Sequence, residues 1–293
     1  VAWLLPWFYH FLCDKPDRTP FTLYSCVVER FAYLDYSAEK GLQYKDVAGT
    51  LYTDKEFDSI LPLFYYRQLL SDGRLPDSIA GVPVTPQQIG HQNFMLRHSP
   101  SDLNKKKVPL YPLLEAMSGR VDLKMPEDVF RLTDRIEFVG METNTVDEAK
   151  SDRFTKALLA KDFRFPAQYV AGNPTTRKEY DEGYFMVDDQ GKLFHLKQLR
   201  GRPFVRHVEL PEGMAIRDVF ITELSNRRFY ALLSDADGGF WVLGNPGYEV
   251  QRLPVDRFDP RTQSLMIIGD MFNWTVSISG DNGVNMYALD ADD

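Results

Sequence analysis

Tyr184-Phe-Met-Val-Asp-Asp-Gln-Gly-Lys-Leu-Phe-His-Leu196, Tyr230-Ala-Leu-Leu-Ser-Asp-Ala-Asp-Gly-Gly-Phe-Trp-Val-Leu243 and Thr275-Val-Ser-Ile-Ser-Gly-Asp-Asn-Gly-Val-Asn-Met-Tyr-Ala-Leu289 are the stretches that decide the fold of this chain. Each reads as an apolar strand, a turn rich in Asp and Gly, and a second strand, which is the pattern of a β-hairpin. Aligning the aromatic residue two places before a Leu puts Phe194, Trp241 and Tyr287 in register, at spacings of 47 and 46 residues. Between the hairpins, residues Phe204 to Leu210, Val219 to Leu224, Glu249 to Leu253 and Leu265 to Ile268 supply further β-prone runs. Four strands per period is then reachable. A period of this length with four short strands is the mark of propeller blades. The expectation is a mainly β chain with β-propeller-like repeats of about 46 residues.

Working outward, Arg135 to Met141 reads as a strand, and Asp147 to Lys161 reads as an amphipathic helix carrying Ala149, Phe154, Ala157 and Leu158. From Leu75 to Pro126, Pro and Gly recur too often for long elements, which leaves short strands, loops and a small helix around Leu113 to Met117. Thr53 and Glu56 form a capping-box signature ahead of Phe57, Ile60, Leu61 and Phe64. This predicts a helix kinked at Pro62 and stopped at Gly73. Phe21 to Tyr36 is rich in aromatic and β-branched residues and reads as strand. If these earlier strands belong to diverged blades, five or six blades fit the length, with the helices as insertions in the N-terminal half.

The first residues read differently. Val1-Ala-Trp-Leu-Leu-Pro-Trp-Phe-Tyr9 is apolar and aromatic, shorter than the roughly 20 residues that span a bilayer, and carries the Trp and Tyr that gather at membrane interfaces. The expectation is that residues 1–13 are the remnant of a membrane anchor or signal segment. Residues 14–293 then form one extracytoplasmic domain, with 14–134 as its irregular, helix-containing part and 135–293 carrying the clearest repeats. Cys13 lacks the small preceding residue of a lipidated cysteine, and with Cys26 it is too little for a disulfide framework.

Composition excludes some functions. Of the 293 residues 44% are hydrophobic, ample for a sizeable core, and the net charge of −8 disfavours a nucleic-acid partner. Lys105-Lys106-Lys107 reads as a solvated loop. The turns Asp188 to Gly191, Asp235 to Gly239 and Ser279 to Gly283 place carboxylates close together but lack the spread oxygen ligands of a calcium loop. They read as structural turns. Ser279-x-Asp281-x-Gly283 resembles the Asp-box hairpin of several propellers, itself a structural device. His10, His91, His98, His195 and His207 are scattered singly, without a zinc or hydrolase motif. His195 alternates with Phe194 and Leu196, so it is expected to face the other way, towards solvent or a neighbouring blade. The carboxylate pairs Glu127-Asp128 and Asp181-Glu182 are adjacent in sequence, which does not provide facing geometry for acid–base work. No catalytic, cofactor-binding or metal-binding residue is assigned.

One resemblance covers nearly the whole chain. It rests on Tyr24-Ser25, Leu61-Pro62, Tyr66-Arg-Gln-Leu69, Leu75-Pro-Asp-Ser-Ile79, Tyr111-Pro-Leu-Leu-Glu115 and Pro126-Glu-Asp-Val-Phe-Arg131, and above all on Lys178-Glu-Tyr-Asp-Glu-Gly-Tyr-Phe185 with Leu193-Phe-His-Leu-Lys197. These runs resemble an uncharacterised domain-of-unknown-function family of Bacteroidetes envelope proteins, often encoded beside ABC-transporter ATPase and permease components. The resemblance implies a membrane-anchored protein with its bulk on the periplasmic side of the inner membrane. It transfers no catalytic or binding residue. The expected role is a non-enzymatic accessory or interaction module of an envelope transport system, with an envelope or transporter protein as partner. A carbohydrate-active or other propeller enzyme, and a sensor of a solute or metal, are the alternatives. A deep central cleft with converging carboxylates or histidines of perturbed pKa would favour the enzyme, and a flat apolar patch rimmed by polar groups the interaction module.

Overall fold

The computed structural model describes residues 20–37, 39, 41–103, 105, 108–117 and 122–291. The expected anchor remnant at 1–13, with His10 and Cys13, lies outside them. The chain divides into two compact units, one up to Ile89 and one from Gly90 onward.

The first unit holds an antiparallel sheet in sequence order, β1 (Thr22–Ser25), β2 (Arg30–Ser37), β3 (Gly41–Asp46) and β4 (Leu51–Tyr52). The expected strand from Phe21 to Tyr36 is therefore a hairpin, turned at residues 26–29 where Glu29 takes a φ of 52°. Helix α1 (Asp54–Ile60) starts at the predicted box: the Glu56 amide donates to the Thr53 hydroxyl, and the Thr53 amide donates to the Glu56 carboxylate at 2.8 Å. Instead of kinking at Pro62 the helix ends at Ile60, because the residue before a proline is pushed out of the helical region. Leu61 sits at ψ 55°. A second helix, α2 (Tyr66–Ser71), runs up to Gly73, whose φ of +67° suits the expected stop. Two short strands, β5 (Ser78–Ile79) and β6 (Val82–Pro83), pair with each other, and α3 (Pro86–Gln92) crosses the division between the units.

The second unit is a succession of antiparallel sheets. It begins with β7 (Phe94–His98) and α4 (Pro100–Leu103). The hairpin β8 (Asp128–Leu132) and β9 (Ile136–Gly140) is flanked by single bridges from Tyr111 to Phe130 and from Val146 to Val139. Helix α5 (Glu148–Leu159) follows, capped by Asp147, whose carboxylate accepts the Lys150 amide at 2.9 Å. Then come the sheet β10 (Tyr169–Gly172), β11 (Tyr184–Val187), β12 (Leu193–Leu199), β13 (Arg202–Val208), and the sheet β14 (Ile216–Ile221), β15 (Phe229–Asp235), β16 (Phe240–Gly244), β17 (Val250–Arg252). The last three strands are β18 (Ser264–Gly269), β19 (Asn273–Gly280) and β20 (Gly283–Asp290). They are completed by β7, which pairs with β18 in the order β20-β19-β18-β7.

The expected helix around Leu113 to Met117 does not form. The segment is extended, with Leu113 and Leu114 fully buried and the Ala116 amide bound to the Gln198 carbonyl at 2.9 Å. Burial of two consecutive leucines and pairing to a distant strand outweigh a weak local helical preference.

Neighbouring sheets share cores. Tyr184, Met186, Phe194 and Leu196 pack with Phe130, Phe138 and Phe154, from β8, β9 and α5. Phe185, Val187 and Leu193 turn the other way, onto Ala231, Leu233 and Leu243. Leu232 and Phe240 in turn meet Leu265, Ile267, Val276 and Ile278. With both faces covered, a strand needs no polar alternation, which explains the unbroken burial of β11 and β15. Phe194, Trp241 and Tyr287 each face the core shared with the preceding sheet. Their strand positions differ. Phe194 and Trp241 lie on the third strands of their sheets, but Tyr287 lies on the outer strand β20, because β7 takes the place beside β18.

Candidate functional site

The family-like run Lys178 to Phe185 closes the long connection between β10 and β11, and the structure gathers its charged residues into one cluster. The Lys178 ammonium lies 2.5 Å from Asp181 Oδ1, 2.6 and 2.7 Å from the two Glu223 oxygens and 2.5 Å from the Asn173 carbonyl. Glu223 comes from the loop after β14 and takes a φ of 46°. There it also accepts the Glu182 amide at 2.8 Å and the Asn173 side chain at 2.7 Å. Lys197 Nζ donates to Glu182 Oε2 at 2.6 Å. Tyr180 donates its hydroxyl to the Leu224 carbonyl and carries the Arg227 guanidinium over its ring at 4.0 Å.

His195 sits against this cluster and is fully buried. Of the directions open to it, it takes the one towards the neighbouring sheet. Its ring stacks on Phe185 at 4.2 Å, Nδ1 meets the Tyr248 hydroxyl at 2.7 Å, and Nε2 meets the Glu182 carbonyl at 2.5 Å. A carbonyl only accepts, so Nε2 carries the proton and Nδ1 accepts from Tyr248. Burial, and then the Lys197 ammonium, push the imidazole pKa down to about 3. The ring is neutral, so its 3.7 Å approach to Glu182 Oε2 is not an ion pair. Burial pushes Asp181 up to about 6 against the pull of Lys178, and it also raises Glu182 against Lys197.

Shifted carboxyls beside a histidine have the ingredients of acid–base chemistry. Here they are committed elsewhere. Lys178, Asp181 and Glu223 are 8%, 2% and 2% exposed at the side chain, and each finds its partners inside the cluster. The arrangement ties the 173–183 connection to the loop after β14, and so joins two sheets. Glu223, Arg227 and Tyr248 all have positive φ, a strained conformation that persists only where the surroundings over-determine it. Sequence adjacency of Asp181 and Glu182 hid the cluster, since Glu223 lies about forty residues away. The visible signal was the density of charge in an otherwise apolar run.

In two of the three turns the carboxylate is occupied by its own backbone. Asp188 Oδ1 accepts the amides of Gln190 and Lys192, both at 2.9 Å, and Asp235 Oδ1 accepts those of Asp237 and Gly239 at 2.9 and 2.7 Å. Asp46 does the same with Ala48 and Thr50. Asp235 Oδ2 takes the Trp241 indole N–H at 2.7 Å. Among the described residues no three or more His, Cys, Asp or Glu side chains gather to hold a metal ion. His98 is buried, with Nε2 against the Pro260 carbonyl at 2.8 Å.

An open site lies elsewhere in the second unit. A cleft of about 920 Å³ has Leu113, Leu123 and Pro126 in its walls, with Met117 and Met125 at 57% and 45% exposure. Most of its polar rim is paired within the protein, although the buried Gln198 Oε1 finds no hydrogen-bond partner among the described residues. Glu115 accepts from the Gln198 side chain and the amides of Arg200 and Gly201 at 2.7 to 2.8 Å, and Asp128 pairs with Lys150 at 2.7 Å. Of the pair Glu127-Asp128, Glu127 points to solvent at 93% exposure. The cleft offers apolar contact and adaptable methionine, and no converging acid and base. Among the described residues, no helix is long and apolar enough to cross a membrane.

A family model described as Domain of unknown function (DUF4857) matches residues 21–289. No curated protein matches. Among solved structures, the chain is similar at 13% identity and a TM-score of 0.28 to PorZ, described as an essential bacterial surface component of the type-IX secretion system of Porphyromonas gingivalis. The similarity covers 92% of this chain and 27% of that one, so this chain spans about a quarter of PorZ, and it carries no argument about fold or role.

Proposed function

We propose that this chain, which belongs to the family described as Domain of unknown function (DUF4857), is a non-enzymatic interaction module that receives an apolar segment of a partner protein in the cleft that bears Met117 and Met125. One contrast carries this reading: the cluster with perturbed carboxyls is closed and self-paired, whereas the open cleft is apolar, methionine-bearing and rimmed by charges of both signs. Unbranched methionine fits irregular apolar partners, and a polar rim around an apolar centre is the usual anatomy of such a surface.

In this reading the setting is the envelope of a Bacteroidetes cell, on the periplasmic side of the inner membrane. The partner is a component of an ABC-type transport system, and an anchor lies near residues 1–13. Support comes from the sequence resemblance and from the aromatic run at Val1 to Tyr9. The reading takes the four-stranded sheets as blades of a propeller-like platform. Consecutive sheets with shared cores favour that, and so does β7, which joins β18 from far along the chain as a ring-closing strand does.

The test is a photo-crosslinking residue placed at Met125 in the full-length protein in its native cells. An adduct with one envelope protein, lost in Met117→Asp and absent when the crosslinker sits at Tyr36, is the expected result. Equal labelling at Met125 and Tyr36 overturns the reading. Recovery of the intact protein from cells in the soluble fraction, without detergent, overturns the anchor.

A further inference from the structure

Edges of β-sheets expose unpaired N–H and C=O groups, and proteins normally guard them with short strands, proline, charge or a covering element. Most outer strands here are guarded in one of those ways. β13 carries Arg202, Pro203 and Arg206 and has α5 packed along it. β4 and β17 are two and three residues long, and β7 carries Arg97 on a five-residue strand. β20 differs: it is eight residues long, Gly-Val-Asn-Met-Tyr-Ala-Leu-Asp, has no proline, and carries its single charge at Asp290 at the end.

The backbone register shows which groups are on offer. The hairpin closes through the pair Gly280 and Gly283 around a two-residue turn, and further along the Ala291 amide donates to the Phe272 carbonyl at 2.8 Å. Hydrogen-bonded pairs alternate along an antiparallel ladder, so the odd residues of β20 bond to β19. The even ones, Val284, Met286 and Ala288, direct their N–H and C=O groups away from the sheet. Asn285, Ala288 and Asp290 are exposed, as an open edge requires.

We infer that β20 is a homodimerisation edge, pairing antiparallel with β20 of a second copy about a twofold axis at Met286. The occupant follows from self-complementarity. A strand pairs with its own copy by setting outward residues opposite outward residues, and with Met286 on the axis Val284 faces Ala288 of the other copy while Asn285 faces Tyr287. No charged residue lies between Gly283 and Leu289, so no like charges oppose each other in this register despite a net charge of −8 per chain. An interface of one strand pair is small, which places the dissociation constant in the micromolar range, on the order of 10 to 100 µM.

Sedimentation analysis of the 293-residue chain across roughly 1 to 100 µM tests this. Wild type is expected to shift from the chain mass of 33.8 kDa towards twice that value as concentration rises. Met286→Pro removes an N–H that points away from β19, so it should leave the hairpin and the melting temperature in place and abolish the dimer. Met286→Lys should do the same by charge repulsion, and Gln251→Lys on β17 should leave the dimer intact. A wild type that stays monomeric throughout overturns the inference, as does a dimer that survives both Met286 variants. Pairing with a foreign strand instead would appear as the first of these outcomes.

Discussion

The sheet β10–β13 and the sheet completed by β18–β20 begin from the same sequence pattern and end in different environments. In the first, the central strands are buried on both faces, a charged cluster joins the sheet to its neighbour, and the outer strand is guarded. In the second, the repeated hairpin supplies the outer strand itself, so Tyr287, the counterpart of Phe194, is half-buried and its hydroxyl reaches Asp256 at 2.9 Å. A hairpin motif thus determines local shape, while its place within the sheet determines what it can do. The covered sheet holds the molecule together, and the exposed one is available to another chain.

Mutations at the two aligned aromatic positions should separate the sheets most clearly. Phe194→Ala opens a cavity among Phe163, Met186 and the other residues of a fully buried core, and should cost about 3–5 kcal/mol in urea unfolding. Tyr287→Ala should cost about 1–2 kcal/mol, the value of a partly exposed ring and one hydrogen bond. Equal costs would remove the distinction. Lys178→Met leaves Asp181 and Glu223 buried without their cation, and a loss of about 3–5 kcal/mol is expected from the same measurement. A neutral result would mean that the cluster does not join the sheets.

Acid sensitivity sharpens the contrast further. The unfolded His195 imidazole titrates near 6.5 and the folded one near 3, so between those values the unfolded chain holds a proton that the folded chain lacks. Stability then falls as pH drops below about 6.5, by up to about 1.4 kcal/mol per unit. Asp181 acts in the opposite sense. Its folded pKa is raised, so below about 6 it takes up a proton in the folded state and adds stability as the pH falls towards 3.8. The difference in melting temperature between wild type and His195→Gln should therefore change with pH below 6.5, with wild type losing relative stability. A difference independent of pH would show that His195 is not held neutral. The smallest expected effect is that of calcium. With the Asp188 and Asp235 oxygens on backbone amides, adding calcium should leave the melting temperature unchanged, whereas an ion at a hundred times its dissociation constant would add about 2.7 kcal/mol.

Local chemistry was legible in the chain. The capping box at Thr53, the helix expected from Asp147 to Lys161, the Asp and Gly turns and the apolar strands beside them depend on contacts within a few residues, and each appears close to where the pattern places it. Direction was legible too, because alternation along β12 puts His195 opposite Phe194. The same reading failed where local preference was weak. Leu113 to Met117 could be drawn as a helix because nothing nearby opposed it, and the turn at residues 26–29 carries none of the Gly or Pro that announces one.

By itself the sequence determined a mainly β chain with hairpins at a regular period, membership of a recognisable family, and a content of charge concentrated at Lys178 to Glu182. Only the tertiary structure decided that β7 completes the last sheet and that Glu223 and Lys178 meet. It likewise decided that the Asp181 carboxyl is buried rather than offered to a substrate, and that β20 is an open edge. The physical reason is range. Turn and cap preferences act over a few bonds and are written in consecutive residues, whereas strand pairing, desolvation and edge exposure depend on which distant segments remove water from one another.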